Sequence, residues 1–326
     1  MTDRLPSYDE LPVRAGAPSG SAWGLWGDDD TLGCLNLLTP ERVRAGLACA
    51  TRGVVFNLNL ELELPSPPLF GRSAFRHVVH DASTGHDDEL HGFNPQSSTQ
   101  WDGFRHVRHS VHGFYNAIAD TDHGVHHWAR RGIAGRAVLV DVGRWRAAQG
   151  RPIVGDVAED PIGVRDLAST LVAQDTRVEV GDILLIRTGW TTWYRALSDE
   201  QRTAFASIRV PRCAGLAPGT AMARFLWDLH PAAVAADNPG LELMPPGALQ
   251  APEEVARLRN DPDEAQEWFL HFSLLALLGL PIGELFDLDA LAEDCAATGG
   301  YASFFTSAPL NLSAGVASPP NALAIR

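Results

Sequence analysis

Three observations in the sequence predict an α/β fold. Short, nearly continuous apolar runs at Ala137-Val138-Leu139-Val140-Asp141-Val142, Asp182-Ile183-Leu184-Leu185-Ile186-Arg187 and Ala232-Ala233-Val234-Ala235-Ala236 suit strands buried on both faces. Segments with helical spacing, Val164 to Gln174 and Phe225 to His230, lie between them. The order strand, helix, strand then argues for helices packed on a shared sheet. Within the 326 residues no internal repeat or low-complexity linker splits the chain. Residues 1–22, rich in Pro, Gly, Ser and charge, read as an extended N-terminal arm, and residues 23–326 as a single domain.

The elements follow in order from local signals. Thr39-Pro40-Glu41 places a cap residue before a proline at the first helical position, and Val43, Leu47 and Ala50 continue at helical spacing to a stop at Gly53. Phe56, Leu58, Leu60, Leu62 and Leu64 alternate with Asn57, Asn59, Glu61 and Glu63, which predicts a half-buried antiparallel strand. Residues 65–127 show no sustained period and hold ten of the twelve histidines; a loop-rich stretch of that length in a compact domain is where function is expected. Asp261-Pro262-Asp263-Glu264 reads as a helix start with a capping box, leading through Trp268, His271 and Leu275 to Gly279.

Composition removes several classes of function. A formal charge of -14 and a pI near 5.2 repel a phosphate backbone, which argues against nucleic acid as a partner. The longest apolar stretch, Phe269 to Leu280, is short of the roughly 20 residues that a membrane span needs. Cys34, Cys49, Cys213 and Cys295 form no CxxC pair and read as reduced structural residues. The first residues lack the pattern of a secretory signal, so a cytoplasmic location is expected. The partner that remains is a small-molecule substrate.

Four residues stand out as able to carry chemistry. Asp102 and His106 are four apart, so a helix after Trp101 would set carboxylate and imidazole on one face, where they form either an acid/base pair or an exposed ion pair. His271 sits at helical spacing among apolar residues, a position that also suits a satisfied core histidine. Glu284 lies between Leu280-Pro281-Ile282-Gly283 and Leu285-Phe286, and a carboxylate in such surroundings needs a cation, a proton or donors. Arg72, Arg76 and Arg105 could receive a substrate carboxylate, although solvation at the surface is the commoner role of such residues.

These residues together resemble the cyclase family of metal-dependent hydrolases, which includes kynurenine formamidase and isatin hydrolase. The family signature His-x-Gly-Thr-His-x-Asp-x-Pro-x-His falls on Gln96 to His106, with Thr99, Asp102 and His106 matching, Ser98 at the Gly position, and Gln96 and Gln100 where the first two histidines stand. Further likeness runs through Leu32 to Pro40, Gly132 to Asp141, Val180 to Trp190, and His271 to Glu284, so it covers the chain from Trp23 onward.

The resemblance implies a swivelling β/β/α-type α/β fold, with a barrel-like mixed sheet and surrounding helices, and assembly as a homodimer or homotetramer. It implies one divalent metal ion, zinc or manganese, on Asp102, His271 and Glu284, with His106 as general base or acid beside Asp102. Gln96, Gln100, Trp101, Phe104 and Tyr115 would then touch substrate. A Gln amide is a weak oxygen donor outside zinc's usual set, which weakens the first metal position. The activity expected is hydrolysis of a cyclic or acyl amide, arylformamidase-like, or of a lactone. Two alternatives stay open: a metal-independent cyclase, dehydratase or isomerase using the Asp102–His106 pair, and a non-catalytic binding protein on the same fold.

Overall fold

A nine-stranded sheet organises the chain in the computed structural model, which describes residues 4–245 and 266–326. Its strands are β1 (Val55–Asn57), β4 (Gln100–Asp102), β5 (Ile133–Val140), β6 (Ile183–Ile186), β7 (Ala233–Ala236), β8 (Ile282–Glu284), β9 (Ala302–Ser307), β10 (Ala317–Ser318) and β11 (Leu323–Ile325); β2 (Arg76–Ala82) and β3 (Gly85–His91) pair as a separate ribbon. The order is β1-β11-β9-β5-β6-β7-β8-β4-β10, and the sheet curls into a half-barrel. The four central strands β5 to β8 run parallel, and the wings are antiparallel.

The apolar runs explain the centre. Every residue of β6 and β7 is buried, as expected for strands covered on both faces. The cover comes from helices α1 (Pro40–Leu47), α2 (Val125–Arg131), α3 (Val142–Ala148), α4 (Val164–Ala173), α5 (Trp190–Ala196), α6 (Asp199–Ser207), α7 (Thr220–Asp228) and α8 (Asp289–Thr298). Thr39 caps α1 by accepting from the Arg42 amide, as its sequence predicts. Helix α1 packs on β5 and β9, and Gly46 lets it come so close that a Cβ there would lie 2.5 Å from the Gly135 carbonyl carbon. In the N-terminal segment Tyr8 is buried, its amide donates to Asp228 at 2.7 Å, and Trp227 Nε1 donates to the Pro6 carbonyl at 2.9 Å.

Two expectations are corrected. The strand read over 56–64 is confined to Val55–Asn57, although Leu58 and Leu60 stay buried. Beyond Asn57 the backbone pairing thins to Leu58 N donating to the Ala322 carbonyl at 3.1 Å and a single bridge from Asn59 to Phe286, and side chains add to it: Asn59 Nδ2 donates to the Ala322 carbonyl at 2.9 Å, its Oδ1 accepts from the Ala322 amide at 3.0 Å, and Thr99 Oγ1 accepts from Leu60 N at 2.8 Å. The segment 65–127 is not all loop, since it holds the β2–β3 ribbon, whose residues are almost all exposed. The capping box at Asp261 lies outside the described residues. Downstream, the helical path through His271 widens into a π-helical turn at Phe272–Leu277.

Candidate active site

Strand β4 sets the site. It pairs with β8 so that Gln100 stands opposite Glu284 and Trp101 opposite Gly283. Alternation along a strand sends Gln100 and Asp102 to one face and Trp101 to the other. Trp101 accordingly packs in the core against Phe286 and Phe305 and donates to Ser307 Oγ at 2.9 Å. After Asp102 the chain does not form a helix. It turns at Gly103–His106, with the His106 amide donating to the Gly103 carbonyl at 2.8 Å, and this turn swings the imidazole back to 3.9 Å from Asp102 Oδ1.

His271 enters from the turn before the π-helical segment. Its Nδ1 lies 2.6 Å from Glu242 Oε1, and its Nε2 faces Asp102 Oδ2 at 3.9 Å and Glu284 Oε1 at 3.3 Å. Asp102, His106 and His271 each offer one donor atom within 4.8 Å of the others. Phe269 stacks on the His271 ring at 4.7 Å and 9°.

The two glutamines fill the gaps between these groups. Gln100 Nε2 lies 2.7 Å from Glu284 Oε2 and 3.3 Å from Asp102 Oδ1. Gln96 Nε2 lies 3.2 Å from Asp102 Oδ1 and 2.8 Å from His106 Nδ1. Asp102 Oδ1 thus accepts from both amides. Asp102 Oδ2 and Gln100 Oε1 are buried with no hydrogen-bond partner among the described residues.

Burial dominates the electrostatics. It pushes Glu284 up to about 7, with the neighbouring Asp102 carboxylate adding to the rise. It lowers His106 below the usual histidine value, against the pull of Asp102, so the imidazole is neutral near pH 7. Burial also opposes the charged form of His271, but Glu242 and Glu284 outweigh it and lift this group to about 10. Glu242 is itself raised by burial and held down by His271.

Asp102, His106 and His271 are the group whose donor atoms lie close enough together to share a divalent cation, and Glu284 Oε1 stands beside them, next to His271. Bonds of about 2.0–2.1 Å at tetrahedral angles put neighbouring donors roughly 3.3 Å apart. The 3.3 Å between His271 Nε2 and Glu284 Oε1 and the 3.9 Å between His271 Nε2 and Asp102 Oδ2 are close to that spacing. A buried carboxylate oxygen without a donor is also what a cation would satisfy.

Comparison with known proteins gives this geometry a family. The "Putative cyclase" family model matches residues 49–243, more than half of the chain. The chain belongs to the cyclase family. Its fold is that of a solved structure described as a novel cyclase, with a TM-score of 0.77 and 28% identity over 94% of this chain and 99% of that one. Isatin hydrolase A from Labrenzia aggregata (TM-score 0.54, 17% identity, 87% and 97% coverage) and isatin hydrolase A from Ralstonia solanacearum (0.54, 18%, 88% and 97%) share the fold. No curated protein matches the sequence.

In this cyclase-family chain the structure brings Gln96, Gln100, Asp102, His106, His271 and Glu284 to one place. It does not bring the aromatic residues there. Phe104 packs against Tyr115 and Trp128, and Tyr115 donates to Asp30 Oδ2 at 3.1 Å, so with Trp101 they build core under the site. The histidine crowding dissolves as well, since His77, His80, His86 and His91 lie on the exposed ribbon. Sequence reasoning missed Glu242, yet its flanks, Leu241 and Leu243, carry the signal that singled out Glu284, a carboxylate in apolar surroundings.

Proposed function

We propose that this cyclase-family member is a hydrolase that opens a cyclic or acyl amide, or a lactone, at the centre formed by Asp102, His106, His271 and Glu284. The observation that carries this reading is the convergence of Asp102, His106 and His271 donor atoms within 4.8 Å around a carboxylate oxygen that has no donor. Asp102, His271 and Glu284 would hold a zinc or manganese ion, which when bound acidifies water and polarises a carbonyl. Glu242 fixes the His271 ring so that Nε2 faces the centre, an arrangement typical of histidines that ligate metals.

His106 supplies proton transfer. With Gln96 Nε2 donating to Nδ1, the neutral ring carries its proton on Nε2, towards Asp102. Nδ1 is the basic atom and accepts the proton of the attacking water once substrate displaces Gln96. Asp102 then stabilises the imidazolium, and His106 returns the proton to the leaving nitrogen or oxygen. Positioned acid–base transfer of this kind contributes on the order of 10²–10⁴-fold.

One observation favours a second reading, in which no metal takes part and the Asp102–His106 pair drives a ring closure, dehydration or isomerisation. The amides of Gln96 and Gln100 already bridge Asp102 to His106 and to Glu284, as a cation otherwise would. Hydrolysis of isatin, an aryl formamide and an aryl lactone, measured with and without EDTA, separates the two. Chelator-sensitive turnover that His106→Ala abolishes supports the first reading. Turnover that EDTA leaves untouched removes the metal from the reaction, and with it the first reading, and leaves the Asp102–His106 pair to carry the chemistry.

A further inference from the structure

The three arginines that the sequence offered as carboxylate receivers have different fates. Arg105 is engaged by Asp120 at 2.8 and 2.6 Å and by the Ala314 carbonyl. Arg76 stands on the exposed ribbon opposite His91. Arg72 alone of the three lies against the site. One of its terminal nitrogens donates to the carbonyl oxygen of Gln96, the residue whose side chain bridges Asp102 and His106. Its guanidinium sits over the Phe70 ring, 5.1 Å from the centroid.

The contacts of Arg72 among the described residues are the Gln96 carbonyl and the Phe70 ring, neither of them a carboxylate. Burial sets the shifts of His106 and Glu284, and the charge of Arg72 adds a smaller influence that favours the neutral imidazole and the ionised carboxylate. A planar cation with five donors, one of them committed, held in place by a backbone carbonyl and an aromatic face, is prepared for bidentate contact with an anion. Phe70 is itself in the left-handed region at φ 60, a conformation that its surroundings must impose. The loop thus holds a preset guanidinium against the backbone of Gln96, whose side chain reaches the acid–base pair.

We propose that Arg72 forms an anion subsite that binds a carboxylate of the ligand as it lies against His106 and Gln96. This deepens the proposed hydrolase reading and rests on it. That carboxylate has two possible sources, an acidic group on the substrate remote from the scissile bond, or the acid that opening of the amide or lactone releases.

Calorimetric titration of the full-length protein and of Arg72→Gln with three probes tests the subsite. Benzamide is neutral, benzoate places a carboxylate where the amide would lie, and terephthalamate carries both an amide and a remote carboxylate. The subsite predicts that one carboxylate binds about ten-fold or more tighter than benzamide, and that Arg72→Gln removes this gain while benzamide binding is unchanged, which also reports that the variant is folded. A gain for terephthalamate assigns the substrate's own carboxylate; a gain for benzoate assigns the product's. No Arg72-dependent gain with either probe overturns the proposal. Repeating the titrations in EDTA keeps the two readings apart: a gain that EDTA abolishes and Arg72→Gln preserves belongs to a bound cation and overturns the subsite alone, while an Arg72-dependent gain in a protein that binds no divalent ion leaves the subsite standing without the metal.

Discussion

Glu242 Oε1 and His271 Nδ1 lie 2.6 Å apart, both fully withdrawn from solvent. Glu242 also accepts from the Leu270 amide, so it fixes backbone and ring together. The contact leaves Nε2 as the atom that meets Asp102 and Glu284. One buried carboxylate therefore decides which edge of the imidazole the site can use.

Replacing Glu242 with Gln keeps the shape and removes the charge. Loss of such an outer carboxylate costs about 10–100-fold in metal affinity. Competition for zinc against a chromophoric chelator should show a weakening of that size, whereas unchanged affinity would mean that His271 needs no orienting partner.

Gln100→Ala withdraws the amide between Asp102 Oδ1 and Glu284 Oε2. Glu284 Oε2 then loses its amide donor, and Asp102 Oδ1 keeps only that of Gln96. Urea unfolding in EDTA should show a loss of about 1–3 kcal/mol, and zinc should restore more stability to this variant than to the unaltered protein.

Asp237 accepts from the Thr188 amide and hydroxyl, both at 2.7 Å, and from the Gly189 amide at 2.8 Å. Burial still pushes it up to about 6, against the pull of Arg187, from 3.8 for the ordinary side chain. The folded state holds this proton more tightly than the unfolded chain. Stability from this group is therefore present below about pH 4 and is lost as pH rises through 6. In Asp237→Asn the stability difference from the unaltered protein should stop varying above pH 6 and change by up to about 3 kcal/mol between pH 6 and 4. Parallel curves across that range would contradict the assignment.

Gly33 adopts φ +56, and a Cβ there would lie 2.0 Å from the Gly279 carbonyl oxygen and 2.7 Å from the Phe104 ring. The Cys34 amide donates to that same carbonyl at 2.7 Å, locking the segment onto the end of the π-helical region that follows His271. Gly33→Ala should lower the thermal midpoint by an amount equivalent to about 2 kcal/mol or more; an unshifted midpoint would show that this approach is not tight.

The parts of this fold that were legible in the sequence are those where local chemistry and packing agree. Thr39-Pro40 names a helix start, and the short apolar runs at Ile183–Ile186 and Ala233–Ala236 suit buried strands, which they form. Leu58 and Leu60 keep their inward period, but the backbone pairing thins there and Asn59 adds side-chain bonds to it, which a period of two does not register. The β2–β3 ribbon escaped notice because neither face is consistently apolar: His77, Val79 and Asp81 share one side, and Val78 and His80 the other. In the site, Asp102, His106, His271 and Glu284 were all named from sequence. The turn that replaces the expected helix after Trp101 was not, because Asp102 and His106 can meet through either geometry. Trp101 was misread as pocket because a tryptophan beside an acidic residue looks the same from sequence whichever way the strand turns it.

The central claim is that Asp102, His271 and Glu284 hold a divalent cation beside His106. Titration calorimetry of zinc into the chelator-treated protein, alongside Asp102→Asn and His106→Ala, measures it most directly. The account predicts one zinc per chain, affinity reduced about 100-fold or more in Asp102→Asn through loss of a charged ligand, and affinity retained in His106→Ala. No zinc binding to the unaltered protein, or equal binding in Asp102→Asn, would contradict it.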